Sequence, residues 1–212
     1  IAVLDPLLLG SIPSKVAAET GADALSHAIE AYVGLGSYIL TDALALASIR
    51  MISRNVLKLM SNPGDVEVAA EMLLASCMAG MCFNNVGLGL VHSLAHPIGA
   101  YFHVPHGLAC ALYLPAVMEF NASACPEKFA SIADALGQNV AGLQLQAAVD
   151  QALVAVSDLL ERMGLPKKLS RMGIQFHLDP KMVDDVLAAG PTKNNPRKAD
   201  RVQIAQLFGS AA

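Results

Sequence analysis

From Met72 to Val91 the chain runs for 20 residues, MLLASCMAGMCFNNVGLGLV, without a charged side chain. A stretch of that length and apolarity has two stable destinations: the hydrocarbon of a bilayer or the interior of a protein. Its details favour the interior. Asn84 and Asn85 break the apolar run, Gly87 and Gly89 follow, and His92 comes directly after it. No Lys/Arg cluster flanks it, as the topology rules of membrane helices would require. The segment is expected to be a buried central helix.

The rest of the chain supports a large core. Apolar residues make up 54% of the 212 positions and charged residues 15%, against about 25% charged in an ordinary soluble domain. Such a chain is expected to bury part of its surface against something else. The net charge of −4 and the lack of a basic run argue against a nucleic-acid partner. The absence of Trp and the low aromatic content argue against base-stacking platforms. Cys77, Cys82, Cys110 and Cys125 form no C-x-x-C pair, which suits reduced, buried thiols in a cytosolic protein. No signal peptide is visible.

The periodicity is helical nearly everywhere. Pro13 opens a short helix that Gly21 is expected to interrupt, and Ala24, Leu25, Ala28 and Ile29 carry a second one at helical spacing. Leu40–Leu59 and Val66–Phe83 follow, separated by the turn signal NPGD. A helix from His106 is expected to kink at Pro115. Further helices are expected after Pro126, over Leu143–Met163, after Asp179-Pro180 and at the C-terminus, with PTKNNPRKA as a loop. Only Ile1–Leu4 could be a strand. The fold class is all-α, a multi-helix bundle of about eight to ten helices. Residues 1–12 are expected to be a strand or linker left from a preceding domain, and residues 13–212 a helical domain.

Polar chemistry concentrates in two places. Asp23 and His27 stand four residues apart, a spacing that puts both on one helix face. His92 and His96 repeat that spacing, and His106 follows ten residues later, so Gly87–His106 holds four of the six histidines. Each pair has a plain reading of its own: a surface ion pair for Asp23–His27, core histidines bonded to carbonyls for His92 and His96. The joint pattern favours a divalent metal, which takes three or four N/O ligands. His92 in particular lies in a stretch too apolar to hold an unpaired polar group cheaply. His103 is either solvent-facing or lines a pocket, and His177 is expected to be structural. The GLG at Gly87–Gly89 lacks the frame of a phosphate loop and suits close helix packing or approach of a ligand.

TGADALSHAIEAYVG at Thr20–Gly34 and GLGLVHSLAHPIGAYFHVPHG at Gly87–Gly107 resemble the two signature regions of the iron-containing (group III) alcohol dehydrogenases. DALALASIRMI at Asp42–Ile52 and NPR at Asn195–Arg197 are also similar to the family pattern, and GLGSYILTDALAL is similar to its lactaldehyde reductase branch. The resemblance covers essentially the whole chain. It implies the C-terminal domain of the dehydroquinate synthase-like, iron-dependent alcohol dehydrogenase fold. It implies that Asp23, His27, His92 and His106 are the metal ligands. It also implies that His96 lies beside nicotinamide and substrate as a proton-transfer residue, and that Phe83 narrows the substrate pocket. Iron(II) is the metal the family implies, although imidazole-rich sites also take zinc or nickel. The implied reaction is hydride transfer between NAD(P) and a small alcohol or aldehyde. Dimers are common in the family.

The departure from the family pattern lies outside these motifs. The N-terminal domain of such enzymes carries a G-G-G-S phosphate turn and binds NAD(P); the chain has none of it. It is expected to be the metal-binding domain alone, inactive without its nucleotide-binding partner domain. Two alternatives remain: a helical domain whose metal only staples it together, and a relative of glycerol dehydrogenase or dehydroquinate synthase.

Overall fold

The computed structural model describes residues 1–212 and contains nine α-helices, three short 3-10 turns and no strand. Helix α1 (Ser14–Val33) is the centre of the molecule, packed against α2 (Ile39–Ser61), α3 (Val66–Val86) and α5 (His106–Ala122). Its small residues explain this position. Ala17, Ala18, Gly21, Ala22, Ala24 and Ala28 let neighbouring helices approach from several sides, while Leu25 and Ile29 fill the spaces between them.

The uncharged segment therefore does not supply the central helix. In α3 the buried positions Val68, Met72, Ala75, Ala79, Cys82 and Val86 recur every three or four residues, a single stripe facing the body of the molecule. Leu74 and Met81, on the other side, are 44% and 54% exposed. Helix α3 is long and apolar enough to cross a membrane by length and composition, with 33% of its most apolar window buried. Absence of charge misled here because it measures apolarity and not how many sides of a helix are covered.

Gly21 does not interrupt α1. A glycine inside a helix costs about 1 kcal/mol relative to Ala, and here it permits contact: a Cβ at this position would lie 2.6 Å from Cγ2 of the fully buried Val56. The chain before α1 is irregular over Ile1–Asp5. It then makes a 3-10 turn, Pro6–Leu9, capped by the Asp5 carboxylate accepting from the Leu7 N–H at 3.0 Å. With no neighbouring strand to complete a ladder, Ile1–Leu4 has no sheet to join.

Helix α4 (Leu90–Phe102) packs on α5, and the two meet at His103–Pro105. Helix α5 continues through Pro115 without ending there. Beyond it, α6 (Pro126–Ala135) pairs with α7 (Leu145–Arg162), and α8 (Pro180–Ala188) and α9 (Arg201–Ser210) close the far side over α4 and α5. Asp179 caps α8, and Asp200 with Gln203 forms a capping box on α9. The expected PTKNNPRKA loop contains a 3-10 turn, Pro191–Asn194, and then runs across the start of α4.

The contact between α1 and α5 sets the geometry of everything that follows. It is closest at Gly107, where a Cβ would overlap the carbonyl oxygen of Glu19, a backbone atom unable to move aside. Gly107 adjoins His106, and Glu19 lies one turn before Asp23. Gly107→Ala is expected to push α5 from α1 and destabilise the protein by about 1–3 kcal/mol, the usual range for overpacking. Chemical denaturation of the variant, compared with Gly209→Ala at a glycine with open space around it, checks this.

Candidate metal centre

Helix α1 presents Asp23 and His27 one turn apart, and α4 and α5 bring His92 and His106 to the same point. The Nε2 atoms of His27, His92 and His106 lie 3.7, 3.6 and 3.5 Å from Oδ1 of Asp23. One ligand atom from each of the four residues falls within 4.8 Å of all the others. These separations are too long for hydrogen bonds. They are close to the spacing of donors gathered around one ion, roughly 3.3–3.6 Å for bonds of about 2.0–2.2 Å. Two of the converging atoms, Asp23 Oδ1 and His92 Nε2, are buried and have no hydrogen-bond partner. Buried polar atoms without partners cost free energy, and a cation among these donors would satisfy both. The residues present therefore fit a divalent metal.

Electrostatics supports the same arrangement. Burial drives the His27 pKa down to about 4, so its imidazole is neutral and its lone pair free. Burial raises the Asp23 pKa, but the imidazoles of His92, His27 and His106 around it outweigh this and leave the carboxylate below its usual range. At His92 burial opposes the charged ring, yet the Asp23 carboxylate, the Cys110 thiol and the hydrogen-bonded Glu30 carboxylate around it prevail and push its pKa up to about 12. A metal at Nε2 would take the place of that proton.

The remaining predicted residues surround this point without joining it. The His96 ring lies 5.7 Å from that of His106 and 6.5 Å from that of His92, centroid to centroid. It is exposed, lines a shallow cleft with Pro97, Tyr101 and Asp185, and has its pKa lowered by burial and by the adjacent His106 and His92. Phe83, at the end of α3, packs its ring 4.5 Å from His27. His103 lies at the surface and ends α4 in a left-handed conformation, φ 56°. His177 is also exposed, with its ring 5.5 Å from Phe102. All four cysteines are free; Cys82 and Cys110 are buried, while Cys77 and Cys125 are only partly so.

Sequence reasoning missed Glu30. It is 2% exposed, and its Oε2 meets His92 Nδ1 at 2.6 Å while its Oε1 accepts from the Val91 N–H at 2.6 Å. The signal was present in the spacing: Asp23, His27 and Glu30 are i, i+4 and i+7 and share one face of α1. Asn195 was noticed only as part of NPR. It is buried, accepts from the Leu90 N–H at 3.3 Å, and exchanges two amide hydrogen bonds with Asn121.

The chain matches the model of the Fe-containing alcohol dehydrogenase family, C-terminal, over residues 17–212. It is 39% identical to 1,3-propanediol dehydrogenase of Klebsiella pneumoniae over 211 residues, covering 100% of this chain and 54% of the relative. It is 42% identical to the probable alcohol dehydrogenase EutG of Escherichia coli K12, covering 100% of this chain and 52% of the relative. Lactaldehyde reductase of the same organism is 39% identical, covering 100% and 55%. Among solved structures, a 1,3-propanediol oxidoreductase superposes with a TM-score of 0.95 at 39% identity, over 98% of this chain and 55% of that one. The chain spans about half the length of the curated relatives it matches. With the family's C-terminal model matched along nearly all its length and the same helical fold in its solved relatives, this chain belongs to the iron-containing alcohol dehydrogenase family.

Proposed function

We propose that this chain is the metal-binding catalytic domain of an NAD(P)-dependent alcohol dehydrogenase that interconverts a small alcohol and its aldehyde. The observation that carries the reading is the convergence of three imidazole Nε2 atoms on one oxygen of Asp23, with two of the four donor atoms buried and unpartnered. Asp23, His27, His92 and His106 would hold a divalent cation, iron(II) by family expectation, with zinc as the chemical alternative. When bound, the cation would act as a Lewis acid toward the substrate oxygen, and the nicotinamide of a separately held NAD(P) would carry the hydride.

The chain's own residues supply the rest. His106 is 45% exposed, so the centre is reached from the His106 side while His92 closes its back. Phe83 covers His27 with an apolar ring and keeps water from that side. His96, its pKa lowered, is neutral at pH 7 and accepts the hydroxyl proton on an imidazole nitrogen when alcohol is oxidised. Its exposure lets it pass that proton to solvent. The reading assigns a cytoplasmic location and no membrane or nucleic-acid partner. The nucleotide site is proposed to belong to a domain outside these 212 residues.

The purified chain is expected to hold one divalent ion, and Asp23→Ala to lose it; elemental analysis checks both. A chelator should remove the ion and leave the helical circular dichroism largely intact, because 56 buried apolar residues form one continuous core without it. Cooperative unfolding on chelation would instead favour the second reading, a metal that only staples helices. The chain alone is expected to show no NADH oxidation with a small aldehyde, and measurable turnover would sink the assignment of the nucleotide site to another domain. In the complete enzyme, His96→Asn should lower kcat about 10²–10⁴-fold with metal content unchanged.

A further inference from the structure

We infer that Glu30 is a positioning residue of the centre: it orients the His92 imidazole and anchors the start of α4 with the same carboxylate. The inference rests on the metal-site reading above and adds a residue to it. Glu30 occupies the same face of α1 as Asp23 and His27, one turn further along. Its two oxygens are divided between two tasks. Oε2 sits 2.6 Å from His92 Nδ1, and Oε1 accepts from the Val91 N–H at 2.6 Å.

The first bond assigns the ring. Nδ1 donates to Glu30, so Nε2 is the nitrogen left to face Asp23, 3.6 Å away. A metal-ligating histidine whose other nitrogen donates to a carboxylate has its tautomer and rotation set by that bond. The second bond replaces a missing cap. The N-cap of α4 is Gly89, which has no side chain to offer. The first N–H groups of the helix are taken by residues remote in sequence: Leu90 by Asn195 Oδ1 and Val91 by Glu30 Oε1. The negative carboxylate also lies at the positive end of the helix dipole. Gly89 leaves room for this: a Cβ there would stand 2.8 Å from Glu30 Oε1 and 3.0 Å from Asn195 Oδ1. One carboxylate thus ties the height of α4 to the rotation of its ligand.

Glu30→Gln tests the inference because it preserves shape and removes one acceptor. An amide has one oxygen. If that oxygen serves Val91, the NH2 group meets His92 Nδ1 and stops it donating; if it serves His92, the Val91 N–H faces a donor. Isothermal titration with Co(II) and Zn(II), well below the melting temperature, is expected to show affinity 10–100-fold weaker than wild type. The visible spectrum of the Co(II) form should change as His92 leaves or shifts in the ligand set. Lower thermal stability with affinity within threefold of wild type and an unchanged spectrum would reduce Glu30 to a helix cap and overturn the inference. Should the variant fail to fold, imidazole 15N NMR of the wild-type Zn(II) form decides. A proton on His92 Nδ1, protected from solvent exchange, supports the inference; an unprotonated Nδ1 overturns it. Failure of the wild type to bind either ion would instead bring down the metal-site reading itself.

Discussion

His92 is 1% exposed and both of its ring nitrogens face carboxylates of α1. A buried imidazole between two acids is unfavourable unless each nitrogen has a fitting partner. Glu30 provides one at hydrogen-bond distance; Asp23 stands too far away to provide the other. Much of the molecule's arrangement follows from how that pair of acids is presented. Asp23, His27 and Glu30 share one face of α1, α1 is the helix most enclosed by others, and α4 and α5 are held where their histidines reach that face.

Close backbone approach makes the arrangement possible. Gly107 lets α5 settle on the Glu19 carbonyl, Gly21 admits Val56 from α2, and Gly89 makes room for Glu30 and Asn195. The segment after Pro191 works from the opposite side. Asn194 donates to the Leu88 carbonyl and accepts from the Gly36 N–H, Asn195 takes the Leu90 N–H, and Thr192 donates to Ser93. Residues more than 90 positions apart in the chain therefore pin the Gly87–Gly89 turn and the first turn of α4. That explains how a helix preceded by Gly87 and Gly89 and containing Pro97 can still hold His92 in place.

The centre combines a closed side and an open side. His92 and Glu30 are sealed in, where charge interactions are stronger than in water, while His106 and His96 reach the surface. A purely structural site has no need of an open position, whereas a site that admits substrate does. The relatives of this chain include a 1,3-propanediol dehydrogenase and a lactaldehyde reductase, so one family accompanies several named activities, as function resides in a site rather than in a fold.

Helices were legible in the sequence because their signals are local: apolar recurrence at three and four residues, Pro near helix starts, and Asp179 just before Pro180. The converging residues were legible only in part: two i, i+4 spacings and an apolar setting marked Asp23, His27, His92, His96 and His106 as a metal pattern, while the set without His96 was implied by the resemblance to the family's signature regions. The central place of α1, the one-sided burial of α3 and the continuity of α1 through Gly21 were not, because they depend on which faces other helices cover. Glu30 shows the boundary most clearly. Its position on the Asp23 face followed from the helical repeat alone, but its partners, His92 and the Val91 N–H, lie about sixty residues away. The sequence by itself determined which side chains could share a face and which chemistry they carried. Only the tertiary structure decided that α4 would arrive with a bare first turn and a buried imidazole, since long-range contacts alone select which buried polar groups must satisfy one another.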